Sequence, residues 1–180
     1  MKVILLDFDG VLNHVKSKSR VTFEDGVYIG LDKDKLRNLA KIVQKTDAKI
    51  VLTTTWRDHY EVGAYKQSNR VGKYVNNKFR DLGLKIYDKI ENGNKLNRGR
   101  DAKRWLDAHP EVIEYVAIDD EDIGYMIDEW DTFKDHFVKT LWNGNGLTEN
   151  CANAAIRILN GSRENYIDME DMHKIYPWIC

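Results

Sequence analysis

In Leu5-Leu6-Asp7-Phe8-Asp9-Gly10-Val11-Leu12, an apolar run that begins at Val3 breaks off at two carboxylates one residue apart, followed by a glycine. Side chains at i and i+2 of an extended chain point the same way, so Asp7 and Asp9 are pressed together where a buried strand meets a turn. Two neighbouring carboxylates repel each other, which implies either a bound divalent cation or a shared proton. A calcium loop of the EF-hand type needs D-x-[DN]-x-[DN]-G between helices, and here Gly10 comes too early and follows a strand. The plainer alternative is a structural turn, with Asp9 capping Gly10 and Asp7 merely solvated.

Outward from that stretch, short apolar runs at residues 3–6, 50–52, 84–87, 115–118 and 137–138 alternate with amphipathic segments. Strands buried on both faces and joined by helical crossovers read this way, so the fold class is α/β, with a mainly parallel sheet of about five strands. Leu36, Leu39, Ala40 and Val43 repeat at helical spacing after Asp32 or Asp34, and Val71, Tyr74, Val75 and Leu82 form a second stripe before Gly83. Ala102, Trp105 and Leu106 mark a third helix ended by Pro110; Ala152, Ala155, Ile156 and Leu159 mark a fourth, from near Thr148 to near Gly161. No repeat or linker interrupts the chain. One domain over 1–160 is expected, with an extension, 161–180, that packs back through Tyr166, Ile167, Ile175, Tyr176 and Trp178.

The 180 residues carry 28 basic and 29 acidic side chains, which excludes a uniformly basic nucleic-acid coat and an acidic tail. The two cysteines, Cys151 and Cys180, lack the paired spacing of a disulfide scaffold or zinc ribbon. Only four consecutive apolar residues precede Asp7, too few for a membrane span or signal core, so a cytoplasmic protein without membrane association is expected. Charge is nevertheless uneven. From Lys66 to Arg104 there are twelve cations against four acids, and from Asp107 to Asp135 eleven acids against one lysine. Solvated faces explain this as well as a basic rim beside an acidic metal site.

Three more features fall at the ends of other elements, where open α/β sheets bind ligands. The run Val51-Leu52-Thr53-Thr54-Thr55-Trp56-Arg57 offers hydroxyls and a helix N-terminus able to hold phosphate, although threonines also serve β-propensity and capping. Ile118-Asp119-Asp120-Glu121-Asp122 would complete an oxygen-rich Mg²⁺ site, or be solvated surface. Asn97-Arg98-Gly99-Arg100 opens a helix with guanidinium groups that suit a phosphoryl group.

The order Asp7-x-Asp9-Gly10-Val11-Leu12, Thr53, a basic residue, then Asp119-Asp120 resembles the four motifs of the haloacid dehalogenase (HAD) superfamily of phosphotransferases. The strings Thr53-Thr54-Thr55-Trp56-Arg57, Arg98-Gly99 with Trp105-Leu106, Tyr115 to Asp120, and Gly146-Leu147-Thr148 resemble its branch in Swiss Army Knife RNA repair proteins. The likeness runs from Lys2 to about Leu159. It implies a Rossmann-like three-layer sandwich and a phosphatase site. Asp7 would be the nucleophile, Asp9 the acid and base, Thr53 a phosphoryl hydrogen-bond donor and Arg98 the transition-state cation, with Lys103 the alternative. Mg²⁺ would be held by Asp7, the Asp9 carbonyl, Asp119 and Asp120; Gly10, Thr54, Arg57 and Lys103 would serve substrate binding. Val11 stands where threonine is common in the superfamily, and Arg98 where lysine is usual.

Between Asp9 and Thr53 there is room for a flap, a helix and a strand, and no large cap is expected there or after Trp56. An open site admits a bulky substrate: a phosphorylated nucleic-acid end or nucleotide, with Trp56, Tyr60, Tyr65 and Tyr74 either stacking on it or filling the core. Two alternatives stand beside this one. They are a phosphatase for small sugar phosphates or free nucleotides, and a receiver-like module that binds phosphate without turnover.

Overall fold

The computed structural model describes residues 1–64, 66–91, 97–176 and 178; Tyr65 and Cys180 fall outside them. Strand β1 (Lys2–Leu6) is followed by a hairpin, β2 (Arg20–Phe23) and β3 (Gly26–Ile29), then α1 (Lys33–Thr46), β4 (Lys49–Leu52), a 3₁₀ turn (Thr55–His59) and α2 (Arg70–Arg80). Next come β5 (Ile86–Lys89), α3 (Arg98–Asp107), β6 (Glu114–Asp119), α4 (Ile123–Phe133), β7 (His136–Lys139), α5 (Glu149–Leu159), β8 (Glu164–Ile167) and α6 (Met169–Ile175).

The main sheet has the order β5-β4-β1-β6-β7-β8, and each neighbouring pair is parallel. The chain builds outward from β1 to one side and then returns to build the other, so the carboxyl end of β1 is the switch point where such sheets take their ligands. Register aligns the tips. Leu6 lies opposite both Leu52 and Ile118, which sets Asp7 beside Thr53 and Asp119.

Side-chain parity then decides the face. Ile4, Leu6, Ile50, Leu52, Val116 and Ile118 pack in a core with α1, α2 and α5; Val3, Leu5, Val51 and Ala117 pack with α3 and α4. With a period of two, Asp7, Thr53 and Asp119 continue the second set and point toward the α3–α4 layer. The helices form for the reasons their stripes suggest: α1 buries Leu36, Leu39 and Ala40, and α5 starts at Thr148, whose hydroxyl accepts from Cys151 N at 3.1 Å.

The expected α/β sandwich is present, with departures in strand number and helix ends. Six strands form the sheet rather than about five, because β8 lies in the segment after residue 160. Its sequence, Glu164-Asn165-Tyr166-Ile167, is too polar to read as a buried strand, and it needs no apolar run because it occupies an edge. The flap is a hairpin that pairs only with itself. Helix α2 stops at Arg80, short of Leu82, and α3 stops at Asp107, short of Pro110. Among the described residues no large cap is inserted and no helix is long and apolar enough to cross a membrane.

Candidate active site

Asp7, Asp119 and Asp120 each present a carboxylate oxygen, and these three lie within 4.8 Å of one another. Asp7 extends β1, held by its N–H donating to Ile118 O at 3.1 Å. Asp119 ends β6 fully buried, accepting from Glu121 N at 3.0 Å, from the Tyr125 hydroxyl at 3.3 Å and from Arg98 Nη1 at 2.5 Å. The same Nη1 lies 3.2 Å from Asp7 Oδ2. Arg98 opens α3, so the helix presents one guanidinium nitrogen to two acids on adjacent strands.

Burial raises the Asp7 carboxyl, and Asp119 adds to that by repulsion; Asp119 is raised mainly by its own burial, against the pull of Arg98. Asp120 is pushed up to about 7 by burial and by Asp7. Burial alone would lower the Arg98 guanidinium, but Asp119 and Asp7 outweigh it and hold the group above its ordinary value. Three carboxylates that resist ionisation and offer only oxygen are the donor set of a hard divalent cation, which would relieve their repulsion. The residues therefore fit Mg²⁺.

Asp9 stands apart from this trio. Its Oδ1 accepts from Asn13 Nδ2 and its Oδ2 from Trp56 Nε1, both at 2.9 Å. Gly10 takes φ +75°, and an added Cβ would stand 2.2 Å from Asp120 Cγ. That position thus needs glycine both for its backbone angle and for the acid packed over it. Thr53 is fully buried; its hydroxyl lies near that of Tyr125 without hydrogen-bond geometry and has no hydrogen-bond partner among the described residues.

Other predicted residues go elsewhere. Thr54 is buried and caps the 3₁₀ turn through Trp56 N at 3.4 Å. The expected helix N-terminus is only that one turn, closed by Arg57 N donating to Thr54 O. Arg57 turns inward, donating to the carbonyls of Thr53 and Thr54, so it fixes the end of β4 rather than reaching into solvent. Lys103 pairs with Asp107 at 2.6 Å, away from the acidic cluster, which leaves Arg98 as the cation beside Asp7. Tyr60 is buried and Tyr74 accepts from Leu31 N at 2.8 Å, both as core residues. Asn13 and Tyr125 were missed. The four-residue step from Asp9 to Asn13 was a readable signal, since the turn closes helically with Leu12 N and Asn13 N both donating to Phe8 O; nothing local marks Tyr125.

Residues 3–152 match the family described as the HAD domain in Swiss Army Knife RNA repair proteins. The chain belongs to this family. Among curated proteins, none matches it. A solved structure from Legionella pneumophila, assigned to subfamily III A of the HAD superfamily hydrolases, is similar at TM-score 0.43 and 15% identity, over 88% of this chain and 83% of that one. Within the family match lie the tips of β1, β4 and β6 and the loop that carries Gly146. That glycine has φ +59°, an added Cβ would meet Val11 O at 2.7 Å, and the next residue, Leu147, donates its N–H to the same oxygen at 2.8 Å.

Proposed function

We propose that this HAD-family hydrolase is a Mg²⁺-dependent phosphomonoesterase that works through an aspartyl-phosphate. The convergence of Asp7, Asp119 and Asp120 beside Arg98 carries this reading. Asp7, Asp119, Asp120 and the Asp9 carbonyl would hold the ion, which supplies charge neutralisation between the anionic nucleophile and the anionic substrate. A carboxylate oxygen of Asp7 attacks phosphorus while the bond to the leaving oxygen breaks, and Asp9 gives that oxygen its proton. Water then attacks the phosphorus of the aspartyl ester, Asp9 takes the water's proton, and Asp7 is released with inorganic phosphate. Arg98 stands against Asp7 and stabilises charge on the transferring group. Trp56 and Asn13 fix the Asp9 carboxylate at one side of the nucleophile.

The substrate is a phosphorylated nucleic-acid end or a nucleotide. The family's description as a domain of RNA repair proteins supports this, as does the lack of a large cap among the described residues. We place the protein in the cytoplasm, in keeping with the buried free thiol of Cys151.

The test is hydrolysis of an aryl phosphate with and without Mg²⁺, alongside Asp7→Asn. Turnover that needs the ion and is abolished by the substitution is expected; clean protein inert on every phosphomonoester would overturn the enzyme reading in favour of a phosphate-binding module. Steep loss of activity on 3′- or 5′-phosphorylated oligonucleotides as salt rises would support nucleic-acid ends, whereas salt-insensitive preference for sugar phosphates would sink that substrate class.

A further inference from the structure

A cavity of about 680 Å³ lies between the β2–β3 hairpin, the 3₁₀ turn and the start of α2, with Phe23, Tyr28, Trp56, Asn69 and Arg70 among its walls. Trp56 lines this cavity and also positions Asp9, because its Nε1 donates to Asp9 Oδ2 at 2.9 Å. Given the phosphomonoesterase reading, on which this inference rests, Asp9 marks where the leaving oxygen sits. The remainder of the leaving group must extend from that point, and this half-open cavity is joined to it through Trp56.

We infer that the cavity is the leaving-group pocket and that it takes a nucleobase, the heteroaromatic ring of a terminal nucleotide. Its size falls in the range of small-molecule sites, roughly 300–1,000 Å³. Phe23, Tyr28 and Trp56 give the cavity one aromatic wall. Phe23 packs against Tyr28 at 5.6 Å between ring centroids and edge-on to Trp56 at 6.2 Å, and Tyr28 is 39% exposed, so a ring surface is open to a ligand. Stacking on aromatic side chains binds bases with little regard to sequence.

The charge excludes a different occupant. Three carboxylates and two permanent cations line the cavity, with Arg70 and Glu24 facing each other at 3.4 Å across hairpin and helix. A groove that tracks a phosphate backbone needs a clear excess of cations, and this one has none. An uncharged ring bearing donors and acceptors on its edge suits such a lining better than a second phosphate or an aliphatic chain. Trp56 thereby ties occupancy of the pocket to the position of Asp9, so a bound base orders the acid that must protonate its own ribose oxygen.

Two measurements test this. A nucleoside without phosphate is titrated into ¹⁵N-labelled protein while the Trp56 indole N–H resonance, assigned through Trp56→Phe, is followed. In parallel, kcat/KM is compared for a nucleoside monophosphate and for glycerol phosphate. A saturable shift of that resonance and at least a tenfold preference for the nucleotide are expected, with the preference cut about tenfold by Tyr28→Ala and untouched by Tyr87→Ala, which alters an exposed ring on β5. A nucleoside that leaves Trp56 unmoved, together with equal efficiency on both esters, overturns the pocket even if hydrolysis itself is brisk. A nucleoside that binds a protein inert on every ester upholds the pocket and sinks the hydrolase. Oligonucleotides ending in phosphate identify the source of the base: efficiency equal to the mononucleotide assigns the pocket to a chain end, and much lower efficiency assigns it to free nucleotides.

Discussion

Single atoms decide what Asp9 can do. The indole N–H of Trp56 and the amide of Asn13 pin its two oxygens, and a hydrogen bond of this kind is worth about 0.5–1.5 kcal/mol. Trp56→Phe keeps most of the ring and removes the donor, so kcat on an aryl phosphate should fall about tenfold or more, with a smaller change in KM. A fall confined to KM would show that Trp56 only binds substrate. At Gly10 the conflict is steric. Gly10→Ala must adopt a left-handed angle that costs an L-residue about 1–2 kcal/mol and must also displace Asp120. The expected outcome is a Mg²⁺ requirement raised at least tenfold in activity titrations, while Gly83→Ala, whose added Cβ meets nothing within 4 Å, leaves that requirement as it was.

Elements bring together what the residues alone do not disclose. Asp7 and the strand-terminal Asp119 were legible because a buried strand ending in carboxylates is chemically unusual, and because parity and parallel register leave few ways to arrange two such tips. Tyr125 was not legible: it reaches Asp119 from α4 across the layer, and no local pattern encodes that contact. Lys103 is the alternative to Arg98 that the basic stretch offers, yet five residues along a helix turn a side chain well away from the site, and an i,i+4 partner at Asp107 satisfies it. Strand β8 was hidden by its polarity, and α6 follows it with Asp168 as a cap that accepts from Glu170 N at 3.1 Å and Asp171 N at 3.3 Å. Asp168 also accepts from the Thr148 hydroxyl at 2.6 Å, so Asp168→Ala should destabilise the protein by about 1–2 kcal/mol, measured by urea unfolding.

At the scale of the whole molecule, metal, protons and stability are linked. Asp7, Asp119 and Asp120 are all raised, so between about pH 4 and 7 the folded ion-free chain holds more protons than the unfolded one, and these groups make it less stable as pH rises through that window. His14 and His136 act oppositely: burial lowers both, and their contribution is lost as pH falls below the ordinary histidine range. The histidines cancel when stability with and without Mg²⁺ is compared at the same pH. The rise in Tm on adding Mg²⁺ should therefore be clearly larger at pH 8 than at pH 5.5, where protons compete for the same oxygens. An equal rise at both would show that the ion binds elsewhere. Another dependence runs through the backbone. Asp171 accepts from Asn145 N at 2.8 Å, two residues on Leu147 grips the carbonyl of Val11, and Val11 follows the Asp9-Gly10 turn. Asp171→Ala would keep each reactive side chain and discard the anchor that steadies the first of them; such an enzyme should turn over sluggishly for want of a rigid floor, not for want of chemistry.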